Sequence, residues 1–95
     1  MRHYELMVIL DPTTDEKTVQ ATMQKYLEQV TAAQGSIDKL DIWGKRRLAY
    51  PILKHNDGIY VVIDMHTTSE IALEITRQMG LSESILRTKL LRDDK

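Results

Sequence analysis

The stretch "SIDKLDIWGKRRLAYPILKHNDGIYVVIDMH", Ser36 to His66, decides the fold. Its first part, Ser36 to Lys54, reads as one long strand. Leu40 and Ile42 share a face, and Leu48, Tyr50 and Ile52 continue the even-numbered parity. Gly44 marks a bend or bulge, and Pro51, with no N–H to give a ladder, places the strand at a sheet edge. "HNDG" then reads as a turn, because Asn56, Asp57 and Gly58 tolerate positive φ. "IYVVIDMH" is the return strand of a hairpin. Ile59, Val61, Ile63 and Met65 face a core, while Tyr60, Val62 and Asp64 face away from it. Three consecutive cations, Lys45, Arg46 and Arg47, follow Trp43 and Gly44 in the first strand.

Outward from the hairpin the pattern repeats on both sides. Arg2 to Leu10, "RHYELMVIL", is a buried strand closed by Pro12. Thr13 with Glu16 has the spacing of a capping box, and a helix follows to about Gln34. Val19, Met23, Tyr26, Leu27, Val30 and Ala33 form its buried stripe, and Gly35 is placed to end it in a left-handed conformation. After the hairpin, a helix from about Ser69 to Met79 carries Ile71, Ala72, Ile75 and Met79 on one face, with Gly80 to stop it. A last strand, "SILRTKLL", alternates Leu86, Thr88 and Leu90 with Arg87, Lys89 and Leu91, and "RDDK" is a polar tail. The order is strand–helix–strand–strand–helix–strand. Two right-handed crossovers around a hairpin predict a ferredoxin-like α+β fold: a four-stranded antiparallel sheet with two helices on one face. The first and third strands lie in the centre, and residues 1–95 form a single domain.

That architecture leaves the other face of the sheet uncovered. It should carry His3, Glu5 and Met7, then Tyr60, Val62 and Asp64, then Arg87 and Lys89. A surface mixing aromatic, apolar and basic groups suits RNA, whose bases stack and whose phosphates attract cations, and it also suits a protein partner. Net charge is only −1, but charge is clustered: Lys39 to Lys54 holds five cations against Asp41 alone. The chain has no cysteine, which excludes disulfides and thiolate metal sites, and neither a signal peptide nor a long apolar segment is visible. A soluble cytoplasmic protein is the simplest expectation.

Enzyme motifs are lacking. There is no Gly-rich phosphate loop, HExxH or nucleophile elbow. Ser36, Ser69, Ser82 and Ser84 flank elements, where serine is a cap or turn residue. His3, His55 and His66 lie near strand ends or in a turn without adjacent carboxylates, so they read as surface residues. Met23, Met65 and Met79 read as core filler, and Tyr26 as core. No cofactor and no metal site are expected. Two readings of Lys45 to Arg47 stand together: charges that keep an edge strand from pairing with another sheet, and contacts to phosphate or a partner. A bulge at Gly44 would swap the faces of Arg46 and Arg47. Trp43 beside Gly44 is too exposed for pure core and favours a partner contact.

Two motifs, "MRHYELMVIL-P" at the start and "GKRRLAYPI-K" in the long strand, resemble the bacterial small-subunit ribosomal protein six family. The resemblance covers roughly Met1 to Leu91. It implies a protein without catalytic activity that binds 16S ribosomal RNA in the central domain, on the platform of the 30S subunit. It also implies a heterodimer with small-subunit protein eighteen, a basic partner that would supply much of the phosphate neutralisation, and a monomer when free. Carried over by position, Arg2 matches the family's basic start, Arg46 and Arg47 match its basic pair, and Tyr50 and Lys54 sit in the motif. The candidates for contact with RNA or the RNA-side rim are Arg2, His3, Arg46, Arg47, Lys54, Arg87 and Lys89, and those for the partner surface are Asp41, Trp43, Leu48, Tyr60 and Val62. Trp43 departs from the family, standing where an aliphatic residue is expected.

The same fold permits other roles. A ligand-sensing or dimerising regulatory module would need a self-complementary apolar sheet face and would be a homodimer in solution. A small phosphate-ester or acyl-phosphate hydrolase would need an arginine in the loop after the first strand. That loop is "DPTTDE", acidic and without arginine.

Overall fold

The computed structural model describes residues 2–52 and 55–92, with the side chains of residues 49–55 excepted. The elements are β1 (Arg2–Leu10), α1 (Glu16–Ala32), β2 (Ser36–Ile52), β3 (His55–Thr67), α2 (Ser69–Gly80) and β4 (Ile85–Arg92). The four strands form one sheet in the order β2-β3-β1-β4, every pair antiparallel. This is the expected ferredoxin-like arrangement, with the long β2 on one edge and β4 on the other.

Alternation sets the two faces of the sheet. On β1, Tyr4, Leu6, Val8 and Leu10 are buried; on β3, so are Ile59, Val61, Ile63 and Met65. They pack with Val19, Met23, Leu27 and Val30 of α1 and with Ala72, Ile75 and Met79 of α2 in one cluster. The two helices are also tied by a reciprocal amide pair: Gln29 Nε2 donates to Gln78 Oε1 at 2.7 Å, and Gln78 Nε2 donates back at 3.1 Å.

Several local expectations are corrected by tertiary structure. The expected capping box does not form. Asp15 is the N-cap of α1 and makes no side-chain cap bond, while Asp11 accepts from Thr13 N and Oγ1 at 2.9 and 2.7 Å. The close of α1 is a Schellman motif, with Gly35 N donating to Val30 O and Gln34 N to Thr31 O. Its left-handed residue is Gln34 (φ 67), not Gly35. Gly35 is needed for another reason: a Cβ there would lie 2.5 Å from the His66 carbonyl oxygen and 2.8 Å from Val30 Cγ1. Thr68 does cap α2, its hydroxyl accepting from Ile71 N at 3.3 Å.

The expected "HNDG" turn is likewise corrected to strand. β3 already begins at His55, and Arg46 and Arg47 pair with Gly58 and Asp57. Gly58 is a strand residue with no room for a Cβ, which would sit 2.5 Å from Ile9 Cγ2. On β4, the register shifts opposite Ile9 and Leu10, so Ile85 enters the core where Leu86 was expected. The packing expected of Tyr50, residues Leu53 and Lys54, and the tail beyond Arg92 fall outside the described side chains and residues.

Candidate nucleic-acid interface

The bulges of β2 determine what the uncovered face presents. Ile42 pairs with Val61 and Gly44 with Tyr60, consecutive residues of β3, so Trp43 is the extra residue of a bulge. Gly44 supplies its backbone, at φ 83. Between the register shift at Ile37/Lys39 and this bulge, even-numbered residues face the helices, and Ile42 packs against the core. After it, parity is reversed. Arg46, opposite Gly58, falls on the uncovered face, and Lys45 and Arg47, opposite Ile59 and Asp57, fall on the helix side. Lys45 there lines a depression with Pro12, Thr14, Glu16 and Val19. The three cations of the sequence motif are therefore divided between two surfaces.

One row across the uncovered face reads Arg87, Ile9, Tyr60, Gly44. Trp43, lifted from alternation by the bulge, stacks on Tyr60 with ring centres 6.2 Å apart and planes 4° from parallel. Trp43 remains 46% exposed, whereas Ile9 and Leu48 at the same end are 9% and 8% exposed. Ile9 and Leu48 lie outside the main core cluster. Both approach the place where a Gly58 Cβ would be, so they form a small second core on the side away from the helices. Leu48 consequently offers a partner little surface. Ile9 was not singled out in the sequence, because its role depends on Gly58 and Leu48 converging from two other strands.

The opposite end of the same face is different in kind. His3 pairs in register with His66, and their rings stack at 4.8 Å. His3 Nε2 lies 3.7 Å from Asp64 Oδ1, and the Asp38 carboxylate accepts a hydrogen bond from His66 Nδ1 and another from Ser36 Oγ at 3.2 Å. The expectation of histidines without adjacent carboxylates is thus corrected for His3 and His66. Cross-strand register is what assembles them. Among the described residues, no group of three or more histidines and carboxylates is arranged to hold a metal ion.

The expected site residues on the open face fall into three groups. Arg46, Arg87, Trp43 and Tyr60 gather at the basic, aromatic end. Lys89 (opposite Met7), Val62 and Asp41 lie in the middle, Asp41 taking Lys39 Nζ at 3.2 Å. His3 is at the acidic end. Arg2, opposite Thr67, has the register of the helix side, as Arg47 does. Lys54 lies outside the described residues. The described residues offer a polarised open sheet with stacking groups and cations at one end.

The family model described as Ribosomal protein S6 matches residues 3–92. The small ribosomal subunit protein bS6 of Rhodococcus opacus (strain B4) is 59% identical over 95 residues, which is 100% of both chains. That of Corynebacterium kroppenstedtii is 56% identical over 94 residues, 99% of each. Among solved structures, 30S ribosomal protein S6 from Thermotoga maritima superimposes with a TM-score of 0.87 at 28% identity, covering 97% of this chain and 87% of that one. The C-terminal domain of the MgtC protein from Mycobacterium tuberculosis, at TM-score 0.67 and 8% identity over 98% of this chain and 88% of that one, is a likeness of fold alone.

Proposed function

We propose a function from one premise: the chain belongs to the ribosomal protein S6 family, a structural, non-enzymatic family of the bacterial small ribosomal subunit. The protein works in the cytoplasmic ribosome. Its residues 1–95 act there as one domain that binds 16S ribosomal RNA in the central domain, on the platform, as a heterodimer with small-subunit protein eighteen. The observation that carries this reading is the uncovered sheet face, with Arg46 and Arg87 beside the stacked Trp43 and Tyr60 at one end.

The mechanism is passive. Cations displace the counterions condensed on RNA, so affinity falls as salt rises. The rigid sheet supplies shape, and selection comes from the fold of the RNA. A chain of net charge −1 brings little long-range attraction of its own, so a basic partner supplies the remainder. Arg46, Arg87 and Lys89 meet RNA on the open face, Arg2, His3 and Arg47 meet it at the rims, Lys54 is a further RNA contact, and Asp41 and Val62 adjoin the partner. Binding of a central-domain 16S fragment, measured by filter retention with and without protein eighteen, tests this. Weak retention of the lone chain and strong retention of the pair are expected; equal affinity in both would overturn the heterodimer reading.

A further inference from the structure

We propose that Trp43 and Tyr60 form a stacking shelf for one unpaired base of the ribosomal RNA. This rests on the RNA-binding reading above and specifies the chemistry of contact at one end of the sheet.

The bulge builds the shelf. Gly44 at φ 83 lets β2 hold one residue more than β3 opposes, and that residue is Trp43. Its ring lies parallel to Tyr60, and it keeps 46% of its surface exposed. An aromatic pair needed only for packing would be covered; here Trp43 stays nearly half exposed. Ile9, the cross-strand neighbour of Tyr60, and Leu48 are buried at the same end, so the shelf adjoins a packed apolar patch.

Charge chooses the occupant. Arg46 follows the bulge on the same face, and Arg87 closes the row through Ile9 and Tyr60. Glu5, Asp64 and Asp38 are grouped towards the far end of the face. A polyanion is therefore drawn to the aromatic end. Its bases have π faces that match the shelf, and its phosphates match the cations. Paired bases inside a duplex have both faces covered by neighbours, so the shelf takes a base splayed from a loop, bulge or junction.

Trp43 is the single tryptophan of the chain, so 5-fluorotryptophan gives one fluorine resonance that reports this shelf. The labelled full-length chain is compared free, with unlabelled protein eighteen, and with both partner and a central-domain 16S fragment. An upfield shift on adding the RNA is expected, from the ring current of a stacked base. Trp43→Leu and Tyr60→Leu should each weaken RNA binding about tenfold, the scale of one base–aromatic stack, and circular dichroism should show an intact fold. A shift that the partner alone produces, with nothing further on adding RNA, assigns the shelf to protein and overturns the proposal. RNA retained on a filter with an unchanged resonance also overturns it, while leaving the RNA-binding reading in place. Absence of retention with the partner present would overturn that reading itself.

Discussion

Gly35 and His66 meet so closely that a Cβ on Gly35 would lie 2.5 Å from the His66 carbonyl oxygen. The obstacle is backbone inside the sheet, which cannot rotate away as a side-chain tip could. Gly35→Ala should therefore destabilise the fold by roughly 1–3 kcal/mol, the range of overpacking at a tight site. Gly80 is the control, since nothing lies within 4 Å of its added Cβ at the end of α2. Gly80→Ala should be neutral or stabilising by up to about 1 kcal/mol. Urea midpoints at constant slope measure both; equal midpoints for wild type and Gly35→Ala would show that the approach is relaxed.

Thr67 gives a prediction of opposite sign. It is fully buried on β3, and its Oγ1 finds no hydrogen-bond partner among the described residues. A buried hydroxyl without a partner costs on the order of 1–3 kcal/mol. Thr67→Val keeps the shape and removes the hydroxyl, so stability should rise by about 1 kcal/mol. Thermal unfolding of the two proteins checks it, and a lower midpoint for the valine variant would mean that the hydroxyl is in fact bonded.

These two residues also show what sequence could and could not reveal. The helix stripes and the Ile59–Met65 alternation were legible because periodicity is local and burial follows it. Gly35 and Gly58 were legible as glycines but not in their roles. One was expected to be a left-handed cap and the other a turn residue, yet each is required by an atom distant in sequence, His66 O and Ile9 Cγ2. The bulge at Gly44 carried its own signal. The shift opposite Ile37 and Lys39, which places Asp38 beside His66, carried none. Faces of the basic strand followed from register, and register is a property of two strands together.

The second small core should be measurable apart from the first. Ile9 and Leu48 are nearly buried on the side of the sheet away from the helices, whereas Leu91 on the same face is 44% exposed. Ile9→Ala and Leu48→Ala should each cost about 2–4 kcal/mol, and Leu91→Ala within about 0.5 kcal/mol. Chemical denaturation of the three variants decides this. If Leu48→Ala matched Leu91→Ala, the Ile9–Leu48 contact would contribute nothing to the free protein.

Glu74 and Arg77 set a pH dependence. Arg77 Nε and Nη2 donate to the two carboxylate oxygens at 3.0 and 2.6 Å, and Gln78 Nε2 adds a bond at 3.1 Å. Those bonds, Arg77 first, hold the Glu74 pKa down from 4.5 to about 2. A carboxyl lowered by folding stabilises fully above its unfolded value and loses that contribution as pH falls from 4.5 towards 2. Both side chains are well exposed, so solvent screening keeps the effect small. Glu74→Gln should be slightly less stable than wild type at neutral pH, and the difference should vanish near pH 2. A gap of the same size at both extremes would assign it to something other than the ion pair.

Arg46 and Arg47 are adjacent in sequence but lie on opposite sides of the sheet by register, facing Gly58 and Asp57 respectively. If RNA covers the open face, Arg46 neutralises a phosphate there and Arg47 reaches RNA only at the rim. Arg46→Ala should therefore reduce the slope of log affinity against log salt by about 1 and weaken binding at every salt concentration. Arg47→Ala should change the slope by less. The measurement is a salt titration of central-domain 16S fragment binding by the heterodimer carrying each variant. A larger slope change from Arg47→Ala than from Arg46→Ala would move the RNA to the helix side of β2. The aromatic pair on the open face would then be left to a protein.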